Sequence, residues 1–83
     1  MTAAAAILRP MATLTTAQYD ALERAITDGR RLAVRRTGKG EVVVVPRALR
    51  LVAGRERIDA THPTTGDRLD LYVDEIDGFE VVR

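Results

Sequence analysis

The chain has 83 residues, of which 46% are hydrophobic and 30% are charged, and its formal net charge is +1. This length and composition are typical of one globular domain, and the absence of cysteine excludes both a disulfide framework and a thiolate metal site. A chain without cysteine fits a reducing cytoplasm, which is the expected location. No apolar run approaches the ~20 residues of a membrane-spanning helix, so we expect no membrane partner.

The start of the chain differs from the rest in showing no hydrophobic periodicity. Residues 1–13 are predicted to be a flexible N-terminal extension, and Met11 is a second candidate start of translation. Residues 14–83 are predicted to form a single domain, because no repeat, low-complexity tract or linker divides them.

The clearest local signal is that of a helix. Thr15 is a candidate N-cap with Gln18 three residues later, which is the pattern of a capping box, and Leu14 can close a hydrophobic staple. Gly29 can end the helix in a left-handed conformation. These signals predict a helix over Thr16–Asp28. Its apolar residues recur at helical spacing and are expected to pack on the rest of the domain: Tyr19, Leu22, Ala25 and Ile26.

Beyond the helix the pattern alternates with the period of a strand. Leu32 and Val34 are predicted to face the core from a first strand, and residues 37–40 contain two glycines that suit a tight hairpin turn. Residues 42–45 are four consecutive valines. Pro46 is expected to interrupt the hydrogen-bond ladder of this strand on at least one side.

The second half of the domain continues as strands. Leu49 and Leu51 resume the alternation, and Ile58 and Ala60 are the expected buried residues of a more polar strand. Three further strands are predicted, over residues 56–61, 69–73 and 79–82. Turns or loops are predicted at residues 53–55, 62–67 and 74–77. The fold class is therefore α+β, mostly β, with one N-terminal helix followed by a five-stranded antiparallel small barrel.

Several short motifs follow one another in an order found in known small barrels. They are Leu22-x-x-Ala25-Ile26, Arg30-x-Leu32-x-Val34, Val45-Pro46-x-x-Leu49, Thr65-Gly66-Asp67 and Asp74-Glu75-Ile76. This succession resembles the Sm-like small barrel of bacterial WYL domains and is similar to the Rho-binding antiterminator (Rof) family. The second resemblance also includes Tyr19-Asp20-x-Leu22-Glu23-x-Ala25 and covers about residues 14–82. The resemblance implies an Sm-like barrel that acts in transcription regulation.

The inventory of reactive side chains argues against an enzyme. The chain has no serine or cysteine nucleophile, and its one histidine, His62, lies in a predicted loop. We therefore predict no catalytic residue, no metal ligand and no cofactor. Four acidic residues are dense enough to consider as a metal site, but they lack the spacing of a calcium loop and are predicted to be a solvated acidic edge: Asp70, Asp74, Glu75 and Asp77.

Charge is distributed very unevenly along the chain. Residues 30–57 contain nine basic and two acidic residues, a net charge of +7, whereas residues 58–80 have a net charge of −6. The basic segment either follows a phosphate backbone or pairs with the acidic strands beside it. The predicted binding residues are Arg30, Arg31, Arg35, Arg36, Lys39, Arg47, Arg50 and Arg57.

Three functions remain open from the sequence. The first is a non-enzymatic regulatory or adaptor module that contacts protein or RNA. The second is a WYL-like ligand-sensing barrel in which a nucleotide-like anion is held by arginines, namely Arg31, Arg35, Arg47 or Arg57. The third is a structural subunit of a larger assembly. An apolar strand without alternation needs a cover on both faces, and either the helix or another protein can provide the outer one. A homo-oligomer through residues 42–45 or the C-terminal strand is therefore a further alternative.

Overall fold

The computed structural model describes residues 14–82. Its elements in chain order are α1 (Thr16–Asp28), β1 (Leu32–Arg36), β2 (Gly40–Val52), β3 (Arg55–Thr61), β4 (Arg68–Tyr72), a 3₁₀ turn (Val73–Glu75) and β5 (Ile76–Val81). The flexible extension predicted over residues 1–13 lies outside the described residues. One helix followed by five antiparallel strands confirms the predicted α+β, mostly β class.

Helix α1 begins and ends at the residues that its local signals indicate. The Gln18 N–H donates to Thr15 Oγ1 (3.2 Å), and the Thr15 N–H donates to Gln18 Oε1 (2.8 Å), so the capping box is present. Gly29 ends the helix with φ 68°, in the left-handed region. The predicted apolar stripe packs on the core through Tyr19, Leu22, Ala25 and Ile26.

The strands form one antiparallel sheet in the order β4-β3-β2-β1-β5. The long strand β2 is shared, because its first part pairs with β1 as far as Val44 and its second part pairs with β3 from Val45 onwards. The ladder to β1 ends before Pro46, while the ladder to β3 continues through it. Pro46 therefore interrupts pairing on one side, within a single continuous strand.

The two edges of the sheet are β4 and β5. Between Leu14 and Val82 no hydrogen-bond ladder joins these strands, and the chain passes from one to the other through the 3₁₀ turn. The Thr37 N–H donates to the carbonyl of Glu75 (3.1 Å), which ties the β1–β2 turn to this crossing. Closure of the sheet into a barrel stays a prediction.

One apolar cluster gathers residues from the helix and from all five strands. Its buried members are Leu14, Leu22, Ala25, Leu32, Val34, Val44, Ile58, Ala60, Leu71, Val73 and Ile76. The predicted inward positions of Leu32, Val34, Ile58 and Ala60 are confirmed.

One prediction about an individual position was wrong, and one exposed position needs an explanation. Ile76 was assigned to a turn, but it is the buried first residue of β5. Leu51 alternates with its neighbours as predicted, yet it is 73% exposed. The reason is that Leu51, opposite Glu56, lies near the tip of the β2–β3 hairpin, away from the buried cluster.

The four valines of β2 do alternate in their environment. Val44 is buried and Val42 is half-buried on the core side, whereas Val43 points away from it and is 36% exposed. The expectation that another copy of the chain covers the outer side stays a prediction. No helix within residues 14–82 is long and apolar enough to cross a membrane.

Candidate functional site

A groove of about 510 Å³ lies across β2, β3 and β4, and we call it the arginine groove. Its lining residues are Arg47, Arg50, Arg57, Asp59, Ala60, Thr61 and Arg68. Four guanidinium groups and one carboxylate therefore share one concave surface. Three of these arginines, Arg47, Arg50 and Arg57, are among the binding residues predicted from the sequence, and Arg68 is not.

A β-bulge in β2 decides which side chains face this groove. Pro46 lies opposite Ala60 and Leu49 lies opposite Ile58, and all four are on the core side of the sheet. Pro46 and Leu49 are three residues apart, which regular alternation would place on opposite faces. The extra residue is Arg47, which has no partner on β3. The bulge therefore turns Arg50 to the outer face.

The carboxylate of Asp59 lies at the centre of the groove. It accepts a hydrogen bond from Arg50 Nε (2.6 Å) and another from Arg57 Nε (2.7 Å), and its side chain is only 12% exposed. The Nη2 atom of Arg68 lies 3.9 Å from the Oδ2 atom of Asp59. The hydrogen bond from Arg57, with that from Arg50, holds the pKa of Asp59 below its ordinary value. Asp59 is therefore ionised and fixes the arginines around it.

A second carboxylate, Asp70, lies beside the groove on β4, directly opposite Asp59. Arg68 Nε donates to it (3.1 Å), and Arg57 Nη1 is 4.0 Å away. Arg57 thus lies between two carboxylates and is mostly buried, while the Arg50 and Arg68 side chains are more than half exposed. Its hydrogen bond to Asp59 raises the pKa of Arg57 further above the ordinary arginine value. Arg57 is held in place within the groove, and Arg50 and Arg68 present exposed guanidinium groups at its surface.

Arg47 differs from the other arginines of the groove. It is exposed, and within the described residues it forms no ion pair or hydrogen bond. Its guanidinium group is therefore available to a ligand without breaking an existing contact.

The remaining predicted binding residues lie outside this groove. Arg30 is 3.9 Å from Asp28, and Arg35 is 3.6 Å from Glu80. Arg36 donates to the carbonyl of Lys39 (3.3 Å) through its terminal nitrogen, and its Nε is buried without a partner in the part of the chain described. Arg31 and Lys39 are exposed and make no side-chain ion pair between residues 14 and 82.

The predicted acidic edge is engaged with basic and hydroxyl groups. Arg55 donates twice to the carboxylate of Asp74 (2.6 and 2.8 Å) and once to Glu75 (3.2 Å). These contacts, with the hydrogen bond from Arg55 as the largest cause, lower the pKa of Asp74. Asp77 accepts from the hydroxyl of Thr37 (2.9 Å). The Arg55 guanidinium also lies 3.9 Å above the centre of the Tyr72 ring, so it covers this aromatic face.

A second groove, of about 440 Å³, lies between the β1–β2 turn and the crossing from β4 to β5. Its charged lining residues are Arg36, Lys39, Asp70, Asp74 and Glu75. With two basic and three acidic groups, this surface is less suited to an anion than the arginine groove is.

His62 has a local structural role. Its Nδ1 accepts hydrogen bonds from the backbone N–H groups of Thr64 (3.2 Å) and Thr65 (3.4 Å), which orders the β3–β4 loop. Among residues 14–82, no group of three or more histidine, aspartate or glutamate side chains is placed to hold a metal ion. The absence of catalytic activity stays a prediction.

Sequence analysis missed Asp59 and Arg68. A charged residue between the inward-facing Ile58 and Ala60 was an available signal, because alternation places Asp59 on the outer face. Arg68 gave no such signal, since its place in the groove depends on the register that sets it opposite Thr61. Comparison with protein-family models, curated proteins and solved structures gives no match, so the Sm-like, WYL and Rof resemblances stay predictions.

Proposed function

We propose that the chain is a non-enzymatic binding module that holds the phosphate backbone of single-stranded RNA in the arginine groove. The observation that carries the proposal is the charge of the groove. Its lining residues include Arg47, Arg50, Arg57 and Arg68 against the single carboxylate of Asp59, a net charge of +3. The hydrogen bonds of Arg50 and Arg57 to Asp59 show that guanidinium groups of this groove already bind one oxyanion.

Guanidinium groups suit phosphate because they are planar, remain charged and offer several N–H donors in a fixed arrangement. Arg47, Arg50 and Arg68 come from two different strands, and all three are exposed. Because the three arginines are spread along and across the sheet, they can contact more than one phosphate of the same RNA molecule. Neutralising phosphates also releases counterions, which strengthens binding at low salt.

The same surface supports recognition of the backbone without recognition of bases. Single-stranded nucleic acid is usually read by stacking its bases on aromatic rings. Tyr72 is the aromatic residue of β4 beside the groove, and one face of its ring is covered by Arg55 at 3.9 Å. We therefore expect binding with little sequence preference.

The test is a titration of fluorescently labelled, unstructured RNA at several salt concentrations. Three exposed arginines predict a slope of about −2 in the logarithm of affinity against the logarithm of salt. Arg47→Ala should make this slope shallower by about 0.7 and weaken binding. Arg31→Ala is the matched control, because Arg31 is also exposed and unpaired within residues 14–82 but does not line the groove.

Two results would contradict the proposal. The first is a flat titration at low salt, which would leave the arginines with the structural role of joining strands. The second is an equal loss of binding in Arg31→Ala and Arg47→Ala, which would indicate attraction by overall charge. A regulatory role in transcription, which the resemblance to the Rof family implies, would follow only from a positive result.

A second candidate function is supported by the concave shape of the same groove. The open groove of about 510 Å³ has room for a small ligand, such as the nucleotide-like anion that a WYL-like sensor would bind. Thermal stabilisation of the protein by a nucleotide would support this candidate, and it should be lost in Arg47→Ala.

A further inference from the structure

The arginine groove has more positive charge than one phosphodiester can neutralise. Asp59 reduces the charge of the four lining arginines to +3, and counting Asp70, which contacts Arg57 and Arg68, reduces it to +2. A phosphodiester carries one negative charge, whereas a phosphomonoester carries about −1.5 to −2 at pH 7. The dianion is the better match to the charge of this surface.

The internal contacts of the groove also leave suitable donors unused. Asp59 accepts from the Nε atoms of Arg50 and Arg57, and Asp70 accepts from the Nε atom of Arg68. The terminal nitrogens of Arg50 make no hydrogen bond within the described residues, and neither does the guanidinium group of Arg47. The carboxylates thus hold the arginines by one edge and leave N–H groups for a ligand. A phosphomonoester presents three terminal oxygens to such donors.

We infer that the arginine groove binds a phosphomonoester dianion. This group is shared by the phosphorylated end of an RNA strand and by a free nucleoside monophosphate. The inference rests on the proposed function in taking the groove as the binding site, and it goes further by naming the charged group that the groove selects.

Binding of a phosphomonoester has a pH dependence that comes from the ligand. Its second pKa is about 6, so affinity should rise between about pH 5 and pH 7.5 as the dianion forms. The charged groups facing the site are Arg47 and Arg50 on β2, Arg57 and Asp59 on β3, and Arg68 and Asp70 on β4. The arginines keep their charge across this range, and the lowered pKa of Asp59 keeps that carboxylate ionised. A phosphodiester would show no such rise.

His62 is the one neighbouring group that requires a control. It follows Thr61, which lines the groove, and its imidazole is an ionisable group close to the site. The pH titration is therefore repeated with His62→Gln. A rise that persists in this variant belongs to the ligand, and a rise that disappears would overturn its assignment to the phosphomonoester.

The experiment uses the full chain and RNA oligonucleotides of one sequence with a 5′-phosphate, with a 3′-phosphate or with neither. Adenosine monophosphate and inorganic phosphate are titrated separately. We expect a phosphorylated end to strengthen binding on the order of tenfold, the effect of an added hydrogen-bonded charge contact. Arg47→Ala should remove this gain, and Arg31→Ala should retain it.

The outcomes separate this inference from the proposed function. Equal binding of all three oligonucleotides would overturn the inference and leave the RNA proposal standing. Binding of adenosine monophosphate without binding of any RNA would support the inference, assign the free nucleotide as its source and overturn the RNA proposal. Absence of binding to every ligand at low salt would overturn both.

Discussion

Asp59 is an ionised residue in a strand whose neighbours on both sides, Ile58 and Ala60, belong to the core. Its carboxylate is nearly covered, and this burial is offset by hydrogen bonds from Arg50 and Arg57. The contact of Asp59 with Arg50 and Arg57 therefore holds the arginines of the groove in place and also balances part of their charge.

The first prediction concerns this contact. Asp59→Asn removes the charge that the mostly buried Arg57 requires, so the free energy of unfolding should fall by about 1–3 kcal/mol. Asp67→Asn is the control, because Asp67 is exposed and its side chain has no partner within the described chain; its effect should stay within about 0.5 kcal/mol. Denaturant unfolding measures both, and equal stability of the two variants would show that Asp59 is not structural.

The second prediction concerns the backbone of Ala53. The β2–β3 hairpin turns through Ala53 and Gly54, with φ 52° and φ 78°, which matches a two-residue type I′ turn. Alanine is strained in this region, whereas asparagine tolerates it. Ala53→Asn should therefore raise the free energy of unfolding by up to about 1 kcal/mol. Ala53→Val should lower it, and a thermal melt that ranks the two variants in the opposite order would contradict the turn assignment.

At the scale of an element, α1 is attached to the sheet by its apolar stripe. Leu22 is fully buried in the common cluster, and Leu51 is a leucine of the exposed hairpin. Leu22→Ala should lower the free energy of unfolding by roughly 2–4 kcal/mol through lost burial and a cavity. Leu51→Ala makes the same chemical change at an exposed position and should alter it by less than about 0.5 kcal/mol. Similar melting temperatures for the two would show that α1 is peripheral.

The elements also show what local sequence can predict. The bounds of α1 were correct because the capping box and Gly29 act within one turn of the chain. The extent of β2 was harder to predict, because the effect of Pro46 depends on which side of the strand has a partner. The arginine groove was predicted only in part, because its residues are brought together by the pairing of strands that are distant in sequence. Arg50 and Arg57 lie in a recognisable basic segment, but Arg68 joins them through a pairing between β3 and β4 that sequence does not specify.

At the scale of the whole molecule, the basic and acidic halves of the sequence lie side by side. Arg35 contacts Glu80, Arg50 contacts Asp59 and Arg55 contacts Asp74. Much of the charge imbalance along the chain is therefore neutralised across strands. The groove is where the neutralisation is incomplete.

These ion pairs predict how stability depends on pH. The pKa of Asp59 and that of Asp74 are lowered in the folded protein, so each carboxylate binds its proton less readily than in the unfolded chain. Their stabilisation is fully present above the unfolded value of about 4 and is lost as pH falls through the lower folded value. The melting temperature should therefore fall on acidification below about pH 4, and less steeply in Asp59→Asn. Parallel curves for the two proteins would contradict this assignment.

The bulge at Arg47 makes the arginine groove unusually sensitive to the number of residues in β2. Regular pairing of Arg47, with no residue removed, would shift the register by one residue and exchange the faces of everything that follows it in the strand. Leu49 would then point to water and Arg50 to the apolar cluster. Deletion of Arg47 would leave a regular strand with Leu49 still on the core side, so it should be tolerated better than an insertion between Pro46 and Leu49. The spacing of this stretch carries structural information that its amino acids alone do not.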